Sequence, residues 1–148
     1  EFAGDAEGIV KDSANHIWIL TGEDSATFTT AAMNGFDKNF NHIWTYSFSN
    51  LGINPHQLVL DNSRQVIWYV SGNYVYDVEN FLFPGFPVIH TPATNIYSTG
   101  VDPVTGDVYV SDALDYVQPS KIYRYDKKGI LIHSFTAGVI AGNFAFNE

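Results

Sequence analysis

The stretch that decides the fold is GVDPVTGDVYVSD, which spans Gly100–Asp112. It begins as the end of an apolar strand, turns between Asp102 and Asp107, and continues as a second strand with alternating side chains. Asp, Pro and Gly supply the backbone geometry of such turns. A calcium loop would need several oxygens converging at fixed offsets, and this pattern lacks them. The stretch therefore predicts a β-hairpin.

The second strand of this hairpin has two counterparts earlier in the chain. HIWILTG at 16–22 and VIWYVSG at 66–72 have the same residue pattern as DVYVSDA at 107–113. An acidic turn and another apolar strand precede each of the three. The unit recurs at intervals of about 40–50 residues, which is the period of a β-propeller blade.

Further strands complete each unit. We predict third strands at Ala26–Thr30, Asn73–Val78 and Lys121–Asp126, and fourth strands at His42–Phe48, Pro87–Thr91 and Ile130–Thr136. Four short strands per unit are typical of a propeller blade. The expected fold class is all-β: a β-propeller portion with three four-stranded blades and one strand of a fourth.

The predicted blades lie at 7–48, 56–91 and 97–136, and 139–148 is expected to begin the next blade. Closed propellers have typically 4–8 blades, so these units do not close a ring. We expect the residues 1–148 to be part of a larger ring of the seven-bladed type. The partner that completes it would be more of the same polypeptide or another copy of the chain.

Composition excludes several classes of function. The formal net charge is −9 with only 7 Lys and Arg, which argues against a nucleic-acid partner. The chain has no Cys, which excludes disulfides and thiolate metal sites. No apolar run approaches the roughly 20 residues of a transmembrane helix. Neither a metal nor a cofactor is predicted.

The third unit, YSTGVDPVTGDVYVSDALDYVQPSKIYRYDKKGILIHSFTAG, resembles NHL-type and YncE-like propeller repeats. The terminal SFTAGVIAGNFAF is similar to the last blades of the YncE-like surface propellers of Bacteroidota, which are usually outer-membrane lipoproteins. One branch of that group captures corrinoids and works with a TonB-dependent vitamin B12 transporter.

The resemblance implies a non-enzymatic binding module of a bacterial cell-surface lipoprotein, located at the outer membrane or outside the cell. Its expected task is to capture a nutrient ligand such as cobalamin or another corrinoid, or to dock to an outer-membrane transporter. No catalytic residue is assigned on this reading.

Candidate ligand-binding residues lie on the loops that lead into the first strands and on the loops between second and third strands. Loops on a rigid scaffold often carry function. The loop SDALDYVQPSK at 111–121 is longer than its counterparts, and it combines the carboxylates of Asp112 and Asp115 with the aromatic ring of Tyr116. The predicted set is Glu7, Asn54, His56, Asn95, Tyr97, Asp112, Asp115, Tyr116, Gln118 and Asn143.

Two alternatives remain open. The first is a structural or protein-contact module of the cell envelope. The second is a divalent-metal-dependent lactonase or lyase, because Glu7 at the start of a first strand vaguely resembles the metal-binding carboxylate of lactonase-like propellers. Asn54, Asn95 and Asn143 would then supply its partners.

Overall fold

The computed structural model describes residues 5–48, 54–61, 66–78, 82–83 and 85–147. In these residues the chain forms three antiparallel sheets of four strands each, and no helix. Sheet 1 contains β1 (Ala6–Lys11), β2 (Ile17–Thr21), β3 (Ala32–Phe36) and β4 (His42–Ser47). Sheet 2 contains β5 (His56–Asp61), β6 (Val66–Ser71), β7 (Tyr74–Val78) and β8 (Ile89–His90). Sheet 3 contains β9 (Ile96–Val101), β10 (Val108–Asp112), β11 (Pro119–Tyr125) and β12 (Leu131–Val139).

Each sheet pairs its strands in chain order, which is the arrangement of a propeller blade. The first strands of successive sheets lie side by side. A Cβ added at Gly8 in β1 would lie 2.7 Å from Cβ of Leu58 in β5, so only glycine allows this approach. Gln57 Nε2 in β5 in turn donates to the carbonyl oxygen of Tyr97 in β9 at 3.0 Å. The predicted fold class, a partial β-propeller, is confirmed.

Two apolar cores separate the three sheets. Trp18 and Leu20 of sheet 1 pack with Ile67 and Tyr69 of sheet 2 in the first core. In the second core, Trp68 of sheet 2 packs among residues of sheet 3, including Val108, Val110 and Tyr123. Apolar residues on both faces of β6 therefore bury themselves against different neighbours.

Tyr109 occupies in β10 the place that Trp18 and Trp68 occupy in their strands, and its ring faces away from sheet 2. Phe144 and Phe146 cover it, with ring centroids 5.7 and 5.3 Å from that of Tyr109. These two rings alternate with Ala145 as Leu58 and Leu60 alternate with Val59. Residues 141–147 thus lie where the first strand of a following sheet would lie, although they form no strand in the structure.

Several predicted strands differ from the observed ones, and β11 begins at Pro119, two residues before its predicted start. The third strand of the first unit is Ala32–Phe36, and the prediction of Ala26–Thr30 is wrong because those residues form a turn closed by hydrogen bonds between Asp24 and Thr29. The fourth strand of the second unit shortens to Ile89–His90. The last strand extends to Val139, beyond the predicted end at Thr136.

Trp68→Ala tests the packing between sheets. Trp68 is fully buried, so its truncation should cost about 3–5 kcal/mol of unfolding free energy. Tyr109→Ala serves as the matched control at the equivalent position, and it should cost only about 1–2 kcal/mol because that ring is partly exposed. Urea unfolding followed by far-ultraviolet circular dichroism measures both. Equal losses would contradict the assignment of Trp68 to a core between two sheets.

Candidate functional site

One end of the three sheets carries the loops that lead into first strands and the loops between second and third strands. We call this end the mouth face, and it comprises residues 5, 22–31, 54–55, 72–73, 91–95, 113–118 and 140–143. Backbone hydrogen bonds join the two kinds of loop. Gly22 N donates to Asp5 O at 2.8 Å in sheet 1, and Ala113 N donates to Asn95 O at 2.9 Å in sheet 3. The most extensive set of hydrogen bonds between these loops lies in sheet 3.

Asp112, with 1% of its surface exposed, is the central acceptor of these hydrogen bonds. Its Oδ1 accepts hydrogen bonds from the backbone amides of Asn95 and Leu114 at 2.9 and 3.0 Å, and its Oδ2 accepts one from the amide of Thr94 at 2.9 Å. A carboxylate with its oxygens committed to backbone amides is a structural group. Asp112 thus fastens two loops to each other, and its role as a ligand-binding residue stays a prediction.

Asp115 shapes the exposed part of the loop. Its Oδ1 accepts hydrogen bonds from the amides of Val117 and Gln118, and its Oδ2 accepts one from Gln118 Nε2 at 2.8 Å. These donors favour the ionised carboxylate, and the side chain of Gln118 contributes most. They lower the pKa of Asp115 to about 2. Asp115 and Gln118 therefore form a closed turn that presents the two residues between them, Tyr116 and Val117.

Of these two residues Tyr116 carries the ring, and its backbone lies in the left-handed region at φ 64°. Its ring is 49% exposed and meets the ring of Tyr97, which is 40% exposed. The two ring centroids lie 6.1 Å apart at an interplanar angle of 80°, an edge-to-face pair. Gly142 packs beside the ring of Tyr97, and Asn143 follows it as an exposed residue. The pair forms an aromatic surface at the mouth.

Asn95 and Gln57 fix the backbone around this aromatic pair by side-chain hydrogen bonds. The side-chain amide of Asn95 donates to the carbonyl oxygen of Leu114, directly before the Asp115 turn. Gln57 fixes Tyr97 through its carbonyl oxygen. Sequence reasoning missed Gln57, because a polar residue in a first strand gives no sign that it reaches a neighbouring sheet.

The other predicted residues form a second group between sheets 1 and 2. A Cβ added at Gly22 would lie 3.1 Å from Glu7 Oε1 and 3.5 Å from Asn54 Oδ1, so both oxygens face the open side of this glycine. His56 Nδ1 lies 3.2 Å from the carbonyl oxygen of Asn54. The structure thus divides the predicted set in two, with Gln57 bridging from β5 to the Tyr97–Tyr116 group.

The loop at 22–31 adds features that the sequence reasoning missed, since it assigned part of this loop to a strand. Asp24 accepts hydrogen bonds from the amide of Ala26 and the hydroxyl of Thr27, and these hold the pKa of its carboxyl below the usual value. Phe28 stands at φ 56° with 80% of its side chain exposed. An Asp followed by Ser and Thr is the signal that could have identified this turn.

Three further observations concern small ligands, metal ions and membranes. An open cavity of about 360 Å³ is lined by Asp5, Glu23, Asp24 and Ser25. Within the described part of the chain, no three His, Asp or Glu side chains converge to hold a metal ion. The same residues include no helix that could cross a lipid bilayer.

Comparisons with known proteins support the fold only. No protein-family model matches the sequence, and no curated protein matches it. A quinoprotein alcohol dehydrogenase-like protein from Bacteroides thetaiotaomicron superposes with a TM-score of 0.63 at 16% identity over 88% of the chain. A nidogen/laminin complex gives 0.65 at 13% over 90%, and the Pan2 WD40 domain of Neurospora crassa gives 0.61 at 14% over 90%.

These neighbours are β-propellers. The chain spans 33%, 48% and 39% of the lengths of the three matched chains, in that order. At such low identity the likeness establishes the propeller architecture, and the assignment to YncE-like or NHL-type propellers stays a prediction.

Asp112→Asn tests the structural role of the buried carboxylate. Whichever way the new amide turns, its NH2 group faces a backbone N–H, which should cost about 1–3 kcal/mol of unfolding free energy. Asp115→Asn is the control, because that side chain is exposed and bonds only within its own turn. Urea unfolding compares them, and a loss no larger than the control's would contradict the anchor role.

The pKa of Asp115 predicts how the loop responds to acid. Since this pKa is lowered on folding, the carboxylate stabilises the loop above the ordinary pKa near 3.9, and this contribution is lost as pH falls towards 2. Carbon-detected NMR titration of the Asp115 carboxyl should give a value of about 2. Gln118→Ala should raise it towards 3.9. Titration near 3.9 in the unsubstituted protein would show that the turn is not formed in solution.

Proposed function

We propose that the chain belongs to a binding module, and that its ligand contacts the aromatic surface of Tyr97 and Tyr116. The observation that carries this proposal is the exposed edge-to-face pair at the mouth, at 6.1 Å between centroids. Tyr rings supply large contact area at low cost in conformational entropy. Two exposed rings in one defined arrangement suit recognition better than isolated surface residues do.

Preorganisation supports the same function. Asp112, Asp115 and Asn95 fix the loop backbone around Tyr116 by hydrogen bonds that do not involve a ligand. A loop already held in its final conformation loses little entropy on binding, so its contacts contribute more to affinity. The β-propeller then acts as the rigid frame for these loops.

The sharpest form of the proposal comes from the sequence resemblance. A surface lipoprotein of the YncE-like type would capture a corrinoid and pass it to a TonB-dependent transporter. The aromatic surface supports this version, because the corrin macrocycle and the nucleotide base of cobalamin offer broad apolar faces to stack on. A protein-contact role in the cell envelope is the alternative that uses the same residues.

An enzymatic role is a second candidate, favoured by one observation. Glu7 and Asn54 approach a common point at Gly22, as the carboxylate and amide of a divalent-metal lactonase would. Calcium- or zinc-dependent lactone hydrolysis that disappears in Glu7→Gln would support it. In the binding-module proposal, the full-length protein shows no such hydrolysis.

Titration of the full-length protein with cobalamin, followed by visible absorbance, tests the corrinoid version. We expect saturable binding, weakened about tenfold by Tyr116→Ala, since a central aromatic contact contributes on the order of 1–2 kcal/mol. Phe40→Ala is the matched control. Phe40 is also exposed and also lies in the left-handed region, at φ 63°, but at the opposite end of the sheets.

Failure of the full-length protein to bind cobalamin would eliminate the corrinoid version. Co-purification with an outer-membrane transporter that Tyr97→Ala abolishes would then favour the protein-contact alternative. Equal effects of Tyr116→Ala and Phe40→Ala would place the ligand away from the mouth face.

A further inference from the structure

Charge is unevenly distributed between the two ends of the sheets. Asp5 on the mouth face and Glu7 at the adjoining start of β1 carry exposed carboxylates that hold no turn together, and Glu23 lines the same open cavity as Asp5. Among the described Lys and Arg residues only Lys121 lies near this end, and its ammonium group lies 5.8 Å from the ring centroid of Tyr123. The mouth face is therefore acidic.

At the opposite end of the sheets, carboxylates have basic side chains beside them. Asp37 and Asp126 each pin a turn between third and fourth strands, accepting two backbone hydrogen bonds through Oδ1. Lys38 follows the first of these aspartates, and Lys127 and Lys128 follow the second. Carboxylates also outnumber Lys and Arg at this end, but basic neighbours offset most of their charge, so the excess of negative charge is larger at the mouth.

Two loops on the mouth face each expose an aromatic ring. Phe28 lies on the loop 22–31 of sheet 1, and Tyr116 lies on the loop 113–118 of sheet 3. Between them, sheet 2 has only the two-residue turn Gly72–Asn73. A ligand that touches both rings must extend across this short turn, and the carboxylates of Asp24 and Asp115 accompany the rings at its two ends.

We propose that the mouth face docks an extended, lysine- or arginine-bearing polypeptide segment of a partner protein, which lies across Gly72–Asn73 between Phe28 and Tyr116. This inference rests on the proposed binding function and names the class of partner. Ammonium and guanidinium groups are attracted both to carboxylates and to the faces of aromatic rings. Complementary charge also steers such a segment to the face.

The segment is a polypeptide and not a nucleic acid, because the phosphate backbone would meet carboxylates of its own sign. It extends over three sheets, which exceeds the reach of a single small cation. This surface is wider than the Tyr97–Tyr116 pair, since it includes Phe28 and the carboxylates of sheet 1.

Fluorescence anisotropy with fluorescein-labelled octalysine and the full-length protein tests the inference. We expect saturable binding that weakens as the ionic strength rises from about 0.05 to about 0.5 M. Phe28→Ala and Tyr116→Ala should each weaken it about three- to tenfold. Phe40→Ala is the matched control and should leave it unchanged, and labelled octaglutamate should not bind.

A second variant distinguishes loss of a binding contact from loss of folding. Asp5→Asn combined with Glu23→Gln keeps the shape of both side chains and should reduce both the affinity and its salt dependence. Absence of saturable octalysine binding, or equal weakening by Phe40→Ala, would overturn the inference. So would insensitivity to Phe28→Ala in a protein whose urea midpoint is unchanged.

The same variants separate this inference from the proposed function. Phe28 lies outside the Tyr97–Tyr116 surface, so Phe28→Ala should weaken octalysine binding and leave cobalamin binding unchanged. Cobalamin binding without octalysine binding would overturn only the inference about a basic segment. Octalysine binding without cobalamin binding would eliminate the corrinoid version and support a protein partner.

Discussion

The constraint on which the structure depends is that each four-stranded sheet has apolar residues on both faces. Trp68 faces sheet 3 while Ile67, its neighbour in the same strand, faces sheet 1. A sheet of this kind cannot bury itself alone, since burial of apolar area is the dominant favourable contribution to folding. Successive sheets must therefore stack face to face, and the close approach at Gly8 brings the first strands together. The propeller geometry follows from this stacking.

Stacking leaves the loops at both ends free to vary without disturbing the cores. Asp112 shows how a loop is nevertheless made rigid: a strand ends on a buried carboxylate that collects the amides of the neighbouring loops. Exposed turns closed by Asp24 and Asp115 then project from a backbone that is already fixed. Rigidity at the mouth thus comes from aspartates, and recognition is left to the rings of Tyr97, Tyr116 and Phe28.

The fold was predictable from sequence because the repeat places similar residues at equivalent positions of successive strands. Trp18, Trp68 and Tyr109 recur at one position of the second strand, and period-two alternation locates the strands around them. The prediction of β3 was wrong because Thr and Phe in ATFTT favour a strand by propensity, whereas Asp24 captures the amide and hydroxyl groups that precede Phe28 in a turn. At the candidate site, sequence reasoning selected Tyr97 and Tyr116 but could not see that Asp112 is buried. Burial depends on loops folding over the strand end, which no local pattern encodes.

Aromatic residues in the left-handed region need a separate explanation at the two ends of the sheets. The turn Asp37–Asn41 repeats the hydrogen bonds of Asp126–Ile130, yet Phe40 stands where the second turn has Gly129 at φ 84°. An exposed Phe in that conformation contributes no burial to offset its backbone strain, which is on the order of 1 kcal/mol. Left-handed backbone therefore does not by itself mark a binding residue in this protein. What distinguishes Tyr116 is the ring of Tyr97 beside it, and what distinguishes Phe28 is the excess of carboxylates around its loop.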